Sequence, residues 1–111
     1  MRSGFYFAMC ASMDRYEYLA KVTTVVAELT DVAPGEVLGK SRSADIVDAR
    51  WIVIQLLRDK GYSTKTISPL VGRPARSINH ALSCLEDRMR YTNPALGKTL
   101  AKARKLLGNN D

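Results

Sequence analysis

Arg76, Ser77, Asn79 and His80 put four hydrogen-bonding side chains at the front of the stretch GRPARSINHAL, residues 72–82. A guanidinium can donate two bonds to O6 and N7 of guanine, and a primary amide can pair bidentately with adenine. Arg76 and Asn79 therefore have the chemistry of base readers, and three residues apart on a helix they share nearly one face. The alternatives are a phosphate contact for Arg76 and plain hydration for Asn79. Ser77 suits a phosphate oxygen, a base edge or a helix-start hydrogen bond. His80 suits either a base edge or a partly buried structural position. Lys40, Arg42, Arg50, Lys65 and Arg73 are candidates for the phosphate backbone. Such contacts set register and salt dependence but carry no sequence information. For Arg50 the competing expectation is an ion pair with Asp45 or Asp48, two acids that would repel phosphate near a DNA-facing edge.

Other chemistries find few residues to use. The chain has one histidine and two cysteines, Cys10 and Cys84, without metal-ligand spacing. No metal site, disulfide framework or cofactor is expected, and both thiols are expected reduced, with Cys84 half-buried on a helix. No paired acids in a Gly-rich site and no nucleophile elbow occur, so no catalytic residue can be named and an enzyme is not expected. No apolar run approaches the roughly 18 residues of a membrane span. No exposed aromatic pair suggests stacking of single-stranded bases, which disfavours an RNA-binding variant.

Charge agrees with a polyanionic partner. The 111 residues carry a net +6. Residues 1–40 hold 4 basic and 5 acidic side chains; residues 41–111 hold 13 basic and 6 acidic. The positive charge therefore lies in the second part of the chain, where a polyanion would exchange counterions for Lys and Arg. A merely solvated basic surface is the alternative.

The elements that must position these residues are helices. Ser63 starts one, Gly72 ends it, and Pro74 starts the next at its first position. Two helices across a short Gly-containing turn have the form of a helix-turn-helix. Pro69 inside the first of them is expected to shorten or bend it. The second runs from Pro74 to about Arg90, with Ile78, Leu82, Leu85 and Met89 on one face. Upstream, Asp14 and Glu17 have capping-box spacing and open a helix to Thr30, with Leu19, Val22, Val26 and Leu29 inward. A short helix follows from Pro34, with Val37 and Leu38 inward, and Gly39 ends it. The loop GKSRS (39–43) leads to a helix capped by Ser43 and running to about Lys60. Its middle, WIVIQLL (51–57), is apolar nearly all round and marks the centre of the domain. A strand is the alternative there, but the flanking residues make the segment too long for one. Trp51 is expected in the core rather than as a base-stacking residue. A last helix, capped by Asn93 and starting at Pro94, puts Leu96, Leu100, Ala103 and Leu107 on one side and Lys98, Lys102 and Lys105 on the other.

The expected fold is thus all-α, a compact domain of about six helices. Residues 1–13 form a leader, expected to be disordered or to lie ahead of a start at Met13; their apolar stretch is short for a signal peptide. Residues 14–90 form the helix-turn-helix domain. Residues 91–111 form the basic amphipathic tail helix, suited to covering the core, to self-association or a protein partner, or to a further DNA contact.

VAELTDVAPGEVLGKSR (26–42), IVDARWIVIQLLRDKG (46–61) and YSTKTISPLVGRPARSINHAL (62–82) resemble, in that order, the C-terminal DNA-binding domain of the bacterial replication initiator DnaA, a Trp-repressor-like helical fold. The resemblance covers residues 14–90 and needs one deletion near Gly72 and Arg73. It implies double-stranded DNA as partner, read by the helix-turn-helix and gripped by a basic loop. Lys40 and Arg42 fall in that loop, Arg50 on the arginine of the long helix, and Arg73 on the arginine before the recognition helix. The family's Asp-His-Thr-Thr is here Pro74, Ala75, Arg76 and Ser77, and His80 matches a family histidine. The scaffold is kept and the reading residues are changed, so a target other than the initiator's box is expected. No phosphate-binding Gly-rich loop is present, so no nucleotide is expected. The implied setting is the bacterial cytoplasm, on the nucleoid, in replication initiation or its regulation. A small transcription regulator, or a protein-interaction module on the same scaffold, is the alternative.

Overall fold

In the computed structural model, which describes residues 14–108, Asp14 and Glu17 close the expected capping box. The Asp14 amide donates to Glu17 Oε1 at 3.0 Å and the Tyr16 amide to Asp14 Oδ1 at 3.3 Å. They open α1, Arg15–Thr30, which Asp31 ends in a left-handed conformation at φ 59°. One turn, α2 (Pro34–Val37), has Pro34 in its first turn, and the loop that follows leads to α3 (Ala44–Asp59). The helices α4 (Thr64–Val71) and α5 (Ala75–Asp87) come next. A π-helical turn, Arg88–Thr92, leads to α6 (Ala95–Leu107). There is no strand among the described residues, so the all-α expectation holds and the strand alternative for 51–57 does not. The expected leader, residues 1–13, lies outside the described residues.

α3 touches each of the other five α-helices. That explains its apolar circumference: Ile52, Val53, Ile54, Leu56 and Leu57 are all at most 1% exposed. Val22 and Val26 of α1, Ile67 of α4, and Ile78 and Leu85 of α5 are fully buried with them. Leu19, Leu29, Leu38, Leu82 and Met89 pack partly buried at its margin. α6 lies on α1 and α3 through Leu96, Leu100 and Ala103, while Lys98, Lys102 and Lys105 face water. No helix of the described residues is long and apolar enough to cross a membrane.

Helix ends depart from expectation in four places. Ser43 holds the cap position of α3 but makes no side-chain cap bond. Pro74 is the cap of α5 rather than its first residue, because its ψ of 156° is extended while its φ of −66° already suits the helix that follows. The α-helix expected to reach Arg90 ends at Asp87. There the backbone widens, and the Asn93 amide donates to the Arg88 carbonyl at 2.6 Å. Asn93 thus closes the π-turn, and Pro94 takes the cap position of α6. Pro69 is carried inside α4; the carbonyl it leaves unpaired belongs to Lys65, an exposed residue that water can serve.

The α4–α5 turn is built around Ser68 and Gly72. The Ser68 carbonyl accepts the amides of Gly72 and Arg73 at 2.9 and 3.1 Å, and the Ser68 hydroxyl donates to the Arg73 carbonyl at 2.5 Å. Gly72 sits at φ 71°, and the space a Cβ would take there is open. Gly72→Ala should therefore cost only the left-handed backbone term, about 1–2 kcal/mol, measured as a lower midpoint in urea at unchanged slope.

Candidate nucleic-acid interface

Burial of Ile78, Ala81 and Leu85 fixes which side of α5 faces water. Arg76, Asn79 and His80 are exposed, and Ser77 is half-buried. Arg76 makes no ion pair or side-chain hydrogen bond among the described residues, so all five of its donors are free. Asn79 is oriented: Thr64 Oγ1 donates to Asn79 Oδ1 at 3.2 Å. An amide oxygen has a second lone pair and the NH2 stays free, so Asn79 can still pair bidentately with adenine. His80 is braced without being buried. Its ring stands edge-on to Trp51 at 6.4 Å, and its Nε2 lies 3.3 Å from Cys84 Sγ. Trp51 itself is half-buried at the margin of the core, beneath the exposed face of α5.

The N-terminus of α5 carries no side-chain cap. Its first amides are therefore available to an anion, with Arg73 and Arg76 beside them in sequence. The positive side ends farther along the helix, where Glu86 and Asp87 are exposed and Glu86 pairs with Arg90 at 3.4 Å.

The basic loop is tied to this region by two arginines. Arg50 Nε donates to the Val37 carbonyl at 2.9 Å, and Arg50 Nη2 to the carbonyls of Gly39 and Ser41 at 2.8 and 3.0 Å. Arg73 Nη2 donates to the same Gly39 carbonyl at 2.7 Å, and Arg73 Nη1 to the carbonyls of Leu38 and Val71 at 3.3 Å each. The loop thereby abuts the α4–α5 turn. Lys40 and Arg42 within it are exposed, as is Lys65 on α4, and none of the three pairs with a carboxylate among the described residues. Arg50 lies inside, 7% exposed. Burial first, and the neighbouring Arg73 charge second, lower its pKa from the ordinary arginine value.

The acids expected to compete for Arg50 do other things. Asp48 meets Arg88 across the core edge, Oδ1 to Nε at 2.8 Å and Oδ2 to Nη2 at 3.0 Å. The first contact is close as an ion pair but not aligned as a hydrogen bond. Asp48 is thus neutralised, and Asp45 stays exposed in the first turn of α3. Sequence reading missed Thr64 and Ser68 as orienting residues; Thr64 acts 15 positions away from Asn79, beyond any helical repeat. No group of three metal-ligating side chains occurs among the described residues. Two open clefts, of about 390 Å³ between α1 and α2 and about 200 Å³ beside Asp48, include none of the expected contact residues.

The arrangement offers hydrogen-bonding side chains on a firmly packed helix, a free helix N-terminus and a loop of unpaired cations held beside it. The resemblance to the initiator's domain rests on the residues quoted for it. No family model, no curated protein and no solved structure matches the chain.

Proposed function

We propose that the protein binds double-stranded DNA, with α4 and α5 acting as a helix-turn-helix and the loop 39–43 as a backbone grip. α5 enters the major groove with Arg76 and Asn79 toward base edges, Ser77 and His80 flanking them. Lys40, Arg42 and Lys65 face phosphates, while Arg73 is occupied with the carbonyls of Leu38, Gly39 and Val71. The observation that carries this reading is that Lys40 and Arg42, which pair with no carboxylate among the described residues, sit on a loop that Arg73 ties to the α4–α5 turn, with Arg76, likewise without a carboxylate partner there, in the first turn of α5. Unpaired Arg and Lys beside an open helix N-terminus suit phosphate, and an oriented amide next to a free guanidinium suits base reading. The role that fits is sequence-specific binding in replication initiation or its regulation, or as a small transcription regulator. The changed residues at 74–77 imply a target of its own.

Selection of bound duplexes from a random pool at two salt concentrations tests this. An enriched motif is expected. Arg76→Ala with Asn79→Ala should flatten that motif, each bidentate contact being worth about 1–3 kcal/mol of discrimination. Arg42→Ala should weaken all duplexes alike and lower the salt slope by about one. Wild-type protein that retains no duplex at low salt sinks the DNA reading and leaves the protein-interaction module.

A further inference from the structure

Arg50 is the least exposed basic residue of the site, yet it reaches three carbonyls that lie 13, 11 and 9 residues before it. We infer that Arg50 and Arg73 form a positioning clamp: they touch the loop rather than the ligand, and they hold Lys40 and Arg42 in the places from which those two reach phosphates. This deepens, and rests on, the DNA-binding reading.

The geometry supports the role in three ways. First, the accepting carbonyls belong to alternate residues, Val37, Gly39 and Ser41. Fixing those three fixes the path of the chain through Lys40 and up to Arg42. Unheld, a loop with a glycine and two serines (Gly39, Ser41 and Ser43) would sample many conformations, and binding would have to order it at a cost in entropy. Second, both arginines meet on one atom. The Gly39 carbonyl accepts from Arg50 at 2.8 Å and from Arg73 at 2.7 Å. Arg50 belongs to the central helix and Arg73 to the α4–α5 turn, so the loop is registered against the core and against the start of α5 at once. Third, no carboxylate among the described residues pairs with either guanidinium. The clamp therefore adds no acid beside the cations it positions.

A planar fork with five donors suits this task. An ammonium on a flexible stem has no fork with which to hold divergent carbonyls in place.

The test is a set of variants of the full chain, read by affinity for a selected duplex over a range of salt and by amide hydrogen exchange without DNA. Arg50→Met keeps an apolar stem and removes the fork. It should speed exchange across residues 38–43, weaken DNA binding about tenfold and lower the salt slope by about two, the contribution of two phosphate contacts at about 0.9 each. Adding Lys40→Ala and Arg42→Ala to it should then change little, whereas the same pair in wild-type protein should lower the slope by the same two. Arg50→Lys should not rescue. Additive effects, with Arg50→Met subtracting a single contact of its own, would make Arg50 a phosphate ligand and overturn the clamp. So would unchanged exchange in the loop, or full rescue by lysine. If Arg50→Met does not fold, Arg73→Gln removes the second half of the clamp and is held to the same non-additivity. Wild-type protein that ignores DNA defeats the functional reading instead, while the exchange measurement still reports whether Arg50 orders the loop.

Discussion

A chain ending at Asn93 is expected to lose its cooperative thermal transition, or to melt far below the full-length protein. α6 buries Leu96 and Leu100 to 7% and 3% exposure and Ala103 completely, with Leu107 packed at the margin. Burying a leucine contributes about 1.5–3 kcal/mol, so removing these side chains alone costs about 3–6 kcal/mol. The sides of α1 and α3 beneath them would also be laid open to water. Whole domains of this size are stable by only about 5–15 kcal/mol. The ion pair between Arg104 and Asp59, Nε to Oδ2 at 2.6 Å, is partly exposed and adds little to this sum. The lysines on the other side of α6 separate the structural role from a binding role. Replacing Lys98, Lys102 and Lys105 by alanine should leave the melting temperature nearly unchanged. Circular dichroism on the truncated and triple variants reads both effects. A truncated chain that melts like the full-length one, but sediments as a monomer where the full-length chain is a dimer, would make α6 an association helix instead.

The apolar spacing that identified α6 was legible because each side chain met a neighbour at helical repeat. The same holds for Val22 and Val26 in α1 and for Ile78 and Leu85 in α5. Caps were legible where the bond is local: Asp14 with Glu17, and Ser63, whose hydroxyl accepts from the Thr66 amide at 3.2 Å. Gly72 was legible because only a left-handed residue turns the chain there. What sequence hid were the long-range polar partners. Arg50 had two acids on its own helix, Asp45 and Asp48, at spacings of five and two residues that do not bring helix side chains together, and it pairs with neither. Its partners are backbone carbonyls, which every residue possesses and no residue type announces. Thr64 to Asn79 and Arg104 to Asp59 join side chains, and they are hidden because their meeting depends on how helices cross. The π-turn after Asp87 had no signal either: RMRYT contains neither Gly nor Pro to mark a change of helix. At the site, spacing gave the exposed side of α5 correctly, but it could not tell a cation free to bind from one engaged with its own loop.

The pair that Asp48, the alternative partner considered for Arg50, makes with Arg88 carries the second large effect. Arg88→Met is expected to destabilise the protein by about 2–3 kcal/mol, seen as a lower denaturation midpoint. Removing one member of a fully buried ion pair costs about 3–5 kcal/mol, because the other charge is left without compensation. Here the Asp48 side chain is 10% exposed and that of Arg88 32%, and a cleft of about 200 Å³ lined by Asp48, Asn93 and Thr99 can admit water to the orphaned carboxylate. Both facts reduce the penalty. The Arg88 guanidinium also lies 5.9 Å from the Trp51 ring, a contact that methionine keeps in part through its own sulfur. The loss should therefore come mostly from Asp48 left alone. A double-mutant cycle isolates it: Asp48→Leu with Arg88→Met should recover most of the stability lost in Arg88→Met, since an apolar pair of similar volume is often as stable as the ion pair it replaces. Were the double variant no better than the single one, the pair would matter for packing at the α5 terminus and not for its charge. If the proposed DNA binding holds, DNA preference offers an independent readout. Arg88 and Asp48 lie at the far end of α5 from Arg76, so below its melting temperature Arg88→Met should select the same motif as the wild type. A changed motif would mean that the ion pair, and through it the seating of α5 on α3, sets the aim of the reading residues.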